Sequence, residues 1–307
     1  FSLSYTPLRF MTIQSNLSFD RATTDYTNYY PKGYKSTVGG SISDGFLYKY
    51  HSISQAMNAD ITASFNQDFN DLSLRSKVRY LYENDQFESM QAEGAKFSAS
   101  NIPSLDVTTE SKEIGSYQSE ISSEGYYFIS GLDFKNKYIA DVLLRKDGSS
   151  LFGENERWQN YYRVSTAWRI SEEPFWLGMK GTMDEFKVRF SQGTAGNRPN
   201  FVAQYETYSV SGGIISKENL GNKDLKPEFS TETEFGLDFS LLNRLSVQFT
   251  QANSVIEDQI LLVPLQAPFG YESQWKNAGT LESNTMELSL QGILMDTRDI
   301  QWTSNFH

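Results

Sequence analysis

The sequence contains no cysteine, so neither a disulfide framework nor a thiolate metal site is available to it. Histidine is nearly absent as well, with only His51 and His307. A Ser–His–Asp triad would have to use one of these two, and no metal-ligand spacing surrounds either. Long apolar runs are also missing. The longest is Ile260–Val263, closed by Pro264, whereas a membrane-spanning helix needs about 20 apolar residues. Basic stripes do not occur and the net charge is −11, which argues against a nucleic-acid partner. These gaps exclude a helical membrane protein. They also leave no catalytic, metal or cofactor-binding residue to expect, so the chain is not expected to be an enzyme.

What is present is alternation with a period of two, which specifies β-strands with unlike faces. In Glu234–Leu241 the apolar residues Phe235, Leu237, Phe239 and Leu241 are interleaved with Glu234, Gly236, Asp238 and Ser240. After a break at Leu242-Asn243-Arg244 the pattern resumes with Leu245, Val247 and Phe249, predicting a hairpin. Similar runs start at Met11, Met57, Leu72, Tyr126, Tyr138, Tyr162, Phe186, Met286 and Ile300. The total is roughly eleven strands, each near the ~10 residues of a tilted transmembrane barrel strand.

The connections alternate in length. Short ones are expected near 68–71, 135–137, 242–244 and 294–298, with a medium one near 171–183. Long ones are expected near 21–54, 84–117, 147–159, 196–230 and 257–277. Short inner turns and long outer loops are how outer-membrane barrels are built. Aromatic pairs at strand ends, Tyr29-Tyr30, Tyr126-Tyr127, Tyr161-Tyr162 and Phe175-Trp176, suit the membrane–water interface. A soluble all-β sandwich also alternates, but it has no reason to alternate its loop lengths. The expected fold is therefore an antiparallel transmembrane β-barrel in the bacterial outer membrane, in contact with lipid and lipopolysaccharide, with residues 1–307 as one incomplete domain.

Several segments resemble the SusC/RagA family of TonB-dependent outer-membrane transporters. The stretch KNKYIADVLLRKDGSSLFGENERWQNYYRVSTAWRISEEPFW (Lys135–Trp176) is similar to a signature of that family. So are FKVRFSQGTAGN (Phe186–Asn197), NKDLKPEFSTETEFGLDFSLLNRL (Asn222–Leu245), IEDQILLVPL and NAGTLESNTMELSL, in the family's order. Pro227 stands where the family has Trp, and Thr285 where it has Gly. The resemblance implies about half of a 22-stranded barrel of the plugged-transporter type, with the plug domain and TonB box outside this sequence. An internal stretch of a longer chain is expected, since open strand edges in lipid are costly. The resemblance further implies uptake of glycans or peptides, a SusD-like surface lipoprotein partner, and TonB engaged through an upstream region. The alternative is a SusC-like barrel serving as a structural or assembly subunit of a larger outer-membrane complex.

Arg75, Lys77, Arg79, Arg163, Arg169, Lys187 and Arg189 fall on the polar face and are expected to face the lumen. The resemblance implies that such charges hold the plug. Tyr205, Tyr208, Tyr271 and Trp275 in the outer loops are candidates for substrate contact, or for ordinary loop packing. Asp147-Gly148 reads as a tight turn using positive φ at glycine. Gly193–Asn197 reads as a strand exit rather than a phosphate loop. Asn222, Asp224, Lys226 and Glu228 read as loop-stabilising groups, and Glu172-Glu173 as part of a solvated inner turn.

Overall fold

The computed structural model describes residues 1–35, 43–211 and 213–306; His307 lies outside them. Among the described residues, seventeen strands occur in chain order. They are β1 (Ser2–Leu8), β2 (Met11–Tyr30), β3 (Phe46–Phe69), β4 (Leu72–Phe97), β5 (Thr108–Phe134), β6 (Tyr138–Ser149), β7 (Trp158–Arg169), β8 (Met183–Asn197) and β9 (Tyr208–Ser211). There follow β10 (Ile214–Lys217), β11 (Asn219–Leu220), β12 (Glu228–Leu241), β13 (Leu245–Glu257), β14 (Ile260–Pro264), β15 (Ser273–Asn277), β16 (Leu281–Asp296) and β17 (Gln301–Phe306). Twelve of them form one antiparallel sheet in which β1 to β8 are followed by β12, β13, β16 and β17. Sequence neighbours in this sheet are spatial neighbours, as in an up-and-down barrel wall.

The register keeps the two faces apart across many strands. One row reads Tyr138, Trp168, Val188, Leu237, Phe249 and Leu288 across β6, β7, β8, β12, β13 and β16. The next row on the other face reads Ile139, Ala167, Arg189, Gly236, Thr250 and Glu287. Large apolar side chains stay uncovered on the first face: Leu144 is 51% exposed and Met286 71%. Area-proportional burial would collapse such a face in water; lipid satisfies it. Among the described residues, the buried apolar side chains include Leu151, Phe152, Ala203 and Leu225 in the connections of the long-loop end.

At the other end the turns are tight. Asn70, Lys135, Asn136, Leu242 and Asn243 adopt positive φ, the conformation that two-residue hairpin turns require. Backbone hydrogen bonds chain these turns along the rim: Lys135 N–H to Asp71 O at 2.7 Å, Arg169 N–H to Lys137 O at 2.8 Å, and Leu242 N–H to Thr182 O at 2.8 Å.

Packing divides the chain into two compact units, and the division cuts through β2, β3, β4 and β5. One comprises Leu17–Ala59 and Tyr82–Ser122 with Phe1, the other Ser2–Asn16, Asp60–Leu81 and 123–307. Within the first, Phe97 is 2% exposed. Its ring meets that of Tyr29 at 5.7 Å, and its carbonyl accepts from Lys32 Nζ at 3.0 Å. Gly45, at φ 99°, leaves its Cβ space to the same ring. The second unit carries the rows described above.

Several expectations change. The main sheet has twelve described strands rather than eleven, because Ser2–Leu8 pairs with β2. Pro7 removes a ladder donor there, and the register shifts between Tyr5 and Leu8, which an edge strand tolerates. The connections expected near 21–54 and 84–117 are mostly strand: β2 to β5 run for 20, 24, 26 and 27 residues. Stretches such as Ala22–Asn28 lack large apolar alternation yet keep the backbone ladder, so the side-chain signal ends before the strand does. The connections near 196–230 and 257–277 hold strands of their own, β9 to β11 and β14 to β15. Asp147 and Gly148 are ladder residues of β6, opposite Gln159 and Trp158. Gly148 matters there for its missing side chain, since the Trp158 ring occupies that space.

Candidate functional site

The polar face of β6, β7, β8, β12 and β13 carries a ladder of fixed charges. Because side chains alternate, cross-strand partners on one face share a neighbourhood. Asp141 lies opposite Ser165, Ser165 opposite Ser191, and Ser191 opposite Glu234. Arg163 Nη2 donates to Asp141 at 3.0 Å, and the Ser165 hydroxyl donates to the same carboxylate. Ser191 Oγ donates to Glu234 at 3.1 Å. Below them, in register, Asp238 faces Lys187 and Gln248.

Asp238 is 7% exposed, so its charge requires compensation. Lys187 Nζ lies 2.7 Å away. Arg189 approaches with Nε at 3.0 Å and Nη2 at 3.0 Å, on different carboxylate oxygens. This two-point geometry is the strong form of the pair. Arg189 Nη2 also donates to Thr250 at 3.2 Å. The guanidinium lies across Gly236, where a side chain would collide with it. The arginine is thereby held along the wall. The groove framed by Asp141, Arg163, Arg189, Ser191 and Glu234 has a volume of about 700 Å³.

The seven expected cationic positions separate into groups. Arg163, Lys187 and Arg189 belong to the ladder. Arg79 pairs with Asp60 at 3.5 Å, and Asn16 Nδ2 donates to the same carboxylate at 3.2 Å. Arg169 sits at the short-turn rim, donating to Asn136 O at 3.2 Å, with Glu172 4.0 Å away. Arg75 borders a rim groove with Asp68, Asp71 and Asp133. Lys77 is exposed on β4. The acidic partners Asp60, Asp141 and Asp238 were not among the expected site residues. Their face was readable from alternation, but their pairing depends on register.

The long-loop end holds a second cluster. Tyr271 Oη donates to Glu206 Oε2 at 2.8 Å and Tyr208 Oη to the same oxygen at 2.9 Å. Lys217 Nζ lies 4.6 Å from the Tyr271 ring centre, within cation–π range. Hydrogen bonds from Tyr271 and then Tyr208, assisted by Lys217 and Lys223, hold the Glu206 carboxyl below its usual range. Tyr208 and the Glu206 charge raise the Tyr271 phenol. Of the four expected aromatics only Tyr208 and Tyr271 converge. Tyr205 packs on Phe201 at 5.9 Å, and Trp275 is a half-buried residue of β15 opposite Leu262.

Loop hydrogen bonds engage Asn222, Asp224, Lys226 and Glu228. Asn222 Nδ2 donates to Trp275 O at 2.9 Å, and its Oδ1 accepts from Asp224 N–H at 3.1 Å. Lys226 N–H donates to Asn277 Oδ1 at 2.9 Å, and Glu228 accepts Ile260 N–H at 2.9 Å. Glu173 departs from the solvated-turn expectation: its side chain is 10% exposed and accepts from three residues. His51 lies 2.8 Å from Asp25. Among the described residues, no group of three His, Cys, Asp or Glu side chains could hold a metal ion.

A family model described as "TonB dependent receptor-like, beta-barrel" matches residues 1–306. The chain is 26% identical over 262 residues to a TonB-dependent receptor of Formosa agariphila, covering 80% of this chain and 24% of that protein. It is also 26% identical over 215 residues to the TonB-dependent receptor SusC of Bacteroides thetaiotaomicron, covering 64% of this chain and 21% of that one. It thus spans about a quarter of the curated relatives it matches. Among solved structures, the RagAB peptide transporter superposes with a TM-score of 0.86 at 19% identity, over 99% of this chain and 34% of that one. The two-faced sheet and the alternating connections now have their explanation: the chain belongs to the TonB-dependent receptor β-barrel family and forms part of an outer-membrane barrel wall.

Proposed function

We propose that this chain supplies part of the barrel of a SusC-type importer that takes up glycans or peptides across the outer membrane. The observation that carries the reading is the compensated charge ladder of Asp141–Arg163 and Lys187–Asp238–Arg189 on the face opposite the apolar one. A lumen lined with fixed, mutually satisfied charges presents polar contacts to a passing solute or a docked plug without binding either irreversibly. On this reading Arg75, Lys77, Arg79, Arg163, Arg169, Lys187 and Arg189 face the lumen, and their main role is to seat the plug.

The partners follow from the same reading: a SusD-like lipoprotein at the long-loop end, and TonB through a region upstream of this sequence. The Tyr208–Glu206–Tyr271 group offers two phenol rings beside a carboxylate and an amine, a set able to stack on sugar rings or bond a peptide backbone. One structural neighbour is a peptide transporter, which supports the peptide class.

The test is affinity capture of the full-length protein from detergent-solubilised outer membranes, followed by mass spectrometry and ligand binding. Co-purification of one SusD-like lipoprotein with a plug- and TonB-box-bearing chain, and micromolar or tighter binding of an oligosaccharide or peptide, is the expected result. A stable multi-subunit assembly lacking a TonB box would instead make the barrel a scaffold and end the import reading.

A further inference from the structure

The connection between β7 and β8 is not a plain turn. Pro174–Met179 forms a six-residue 3₁₀ helix, and two contacts fix which side of the wall it leans on. Glu173, just before it, accepts from Tyr138 Oη at 2.5 Å, Trp168 Nε1 at 3.2 Å and Lys137 Nζ at 3.2 Å. Tyr138 and Trp168 stack at 6.2 Å and begin the apolar row described above. Trp176, within the helix, stacks on Phe186 at 5.3 Å and 6°, and its Nε1 donates to Met183 O at 3.0 Å. Phe186 lies two residues before Val188 of that row, hence on the same face. Both attachments hold the helix on the lipid-facing side of the short-turn rim.

What the helix presents outward is apolar. Phe175 is 69% exposed, Leu177 70% and Met179 43%. These side chains continue the lipid-facing surface past the ends of the strands. Cations accompany them: Lys180 reaches Glu172 at 3.3 Å, and Lys135 sits 5.3 Å over the Phe134 ring. Aromatic and aliphatic groups beside flexible lysines are the composition of a membrane interface, where rings sit at headgroup depth and ammonium groups reach for phosphate.

We propose that residues 173–180 form a lipid-binding foot, which seats Phe175 and Leu177 in the leaflet on the short-turn side and is latched to the wall by Glu173. That side is the periplasmic one in outer-membrane barrels, so the ligand is the phospholipid headgroup–acyl boundary. Glu172 and Lys180, paired together, mark the aqueous edge. The latch works as an acceptor: Glu173 gathers a phenol, an indole and an ammonium that would otherwise be left unsatisfied at the interface, and these donors fix the angle at which the helix leaves β7.

The experiment uses the full-length protein with Phe175→Cys or Leu177→Cys as its single cysteine. The protein is spin-labelled and reconstituted into phosphatidylethanolamine–phosphatidylglycerol vesicles. Paramagnetic accessibility is then compared with labels at Val164, on the lipid face, and Asn243, in a short turn. Labels at 175 and 177 should be severalfold more accessible to oxygen than to a nickel chelate, as at Val164. Accessibility like that of Asn243 would overturn the proposal. So would shielding from both reagents, which would make the surface a protein-docking site. Glu173→Ala should lower the oxygen-to-nickel ratio at 177, while Glu173→Gln, which keeps an acceptor oxygen, should preserve most of it. An unchanged ratio in Glu173→Ala would remove the latch.

Discussion

β6 and β7 and the longer strands β2 to β5 share one sheet but obey different constraints. β6 and β7 have 12 residues each, about 40 Å of strand, which at the usual tilt matches a hydrocarbon core of about 30 Å. Their apolar face is continuous. β2 to β5, at 20 to 27 residues, are about 65 to 90 Å long, more strand than a bilayer holds. The parts of these strands within Leu17–Ala59 and Tyr82–Ser122 lean instead on side-chain hydrogen bonds. Asn84 Nδ2 donates to Glu120 at 3.0 Å, and Tyr48 Oη to Gln91 at 3.0 Å. A few buried anchors such as Leu47 and Phe97 complete them. The backbone ladder is common to both regions, whereas the continuous apolar rows are those that cross β6 and β7.

The comparison can be broken most forcefully at Phe97. Phe97→Ala should cost about 3–5 kcal/mol locally, seen as faster amide exchange at Leu47 and Ala95 with β6–β8 unchanged. A uniform loss across β6–β8 would show that the two regions unfold as one. Next comes the lipid face. Val164→Arg, near the middle of β7, should destabilise the protein in bilayers by about 2–4 kcal/mol, the cost of a cation near the midplane. Thr24→Arg, at an exposed position of β2, should be close to neutral in the same unfolding titration. Equal effects would remove the distinction.

A smaller effect is expected on the polar face. Asp238→Ala leaves Lys187 and Arg189 without their shared acceptor. Their side chains are 26% and 35% exposed, so water partly compensates and about 1–3 kcal/mol is expected rather than the full cost of breaking a buried pair. Replacing Lys187 and Arg189 by Gln in the same variant should recover part of it, measured by the same titration.

The smallest effect belongs to Glu206. Its carboxyl titrates below the ordinary value of 4.5 because Tyr271 and Tyr208 bond its ionised form. A depressed folded-state value contributes stability that is complete above the ordinary range and disappears as pH falls through the depressed value. Amide protection factors around Tyr208 and Tyr271, corrected for the intrinsic pH dependence of exchange, should thus be flat from pH 7 to 5 and fall below that. Glu206→Gln should abolish the fall; a fall retained in that variant would assign it to another group.

Much of this was legible in the residues. Alternation at Phe235–Leu241 and Leu245–Phe249 placed a hairpin that the register reproduces with Leu241 opposite Leu245. The blocks from Lys135 to Trp176 pointed to the family. Legibility failed where the side chains carry no contrast. The polar stretches of β2 to β5 looked like loops, Pro7 hid β1, and Glu172-Glu173 looked like one solvated pair although only Glu173 is enclosed.

The sequence alone therefore determined the strand period, the two unlike faces and the alternation of connection lengths, since each is set by local side-chain order and turn residues. The tertiary structure decided the rest. Asp238 meets Lys187 and Arg189 across β8 and β12, Tyr208 meets Tyr271 on one carboxylate, and the 3₁₀ helix after β7 leans on Phe186. These contacts join residues far apart in the chain, and only hydrogen-bond register and backbone path select them, quantities that no single segment carries.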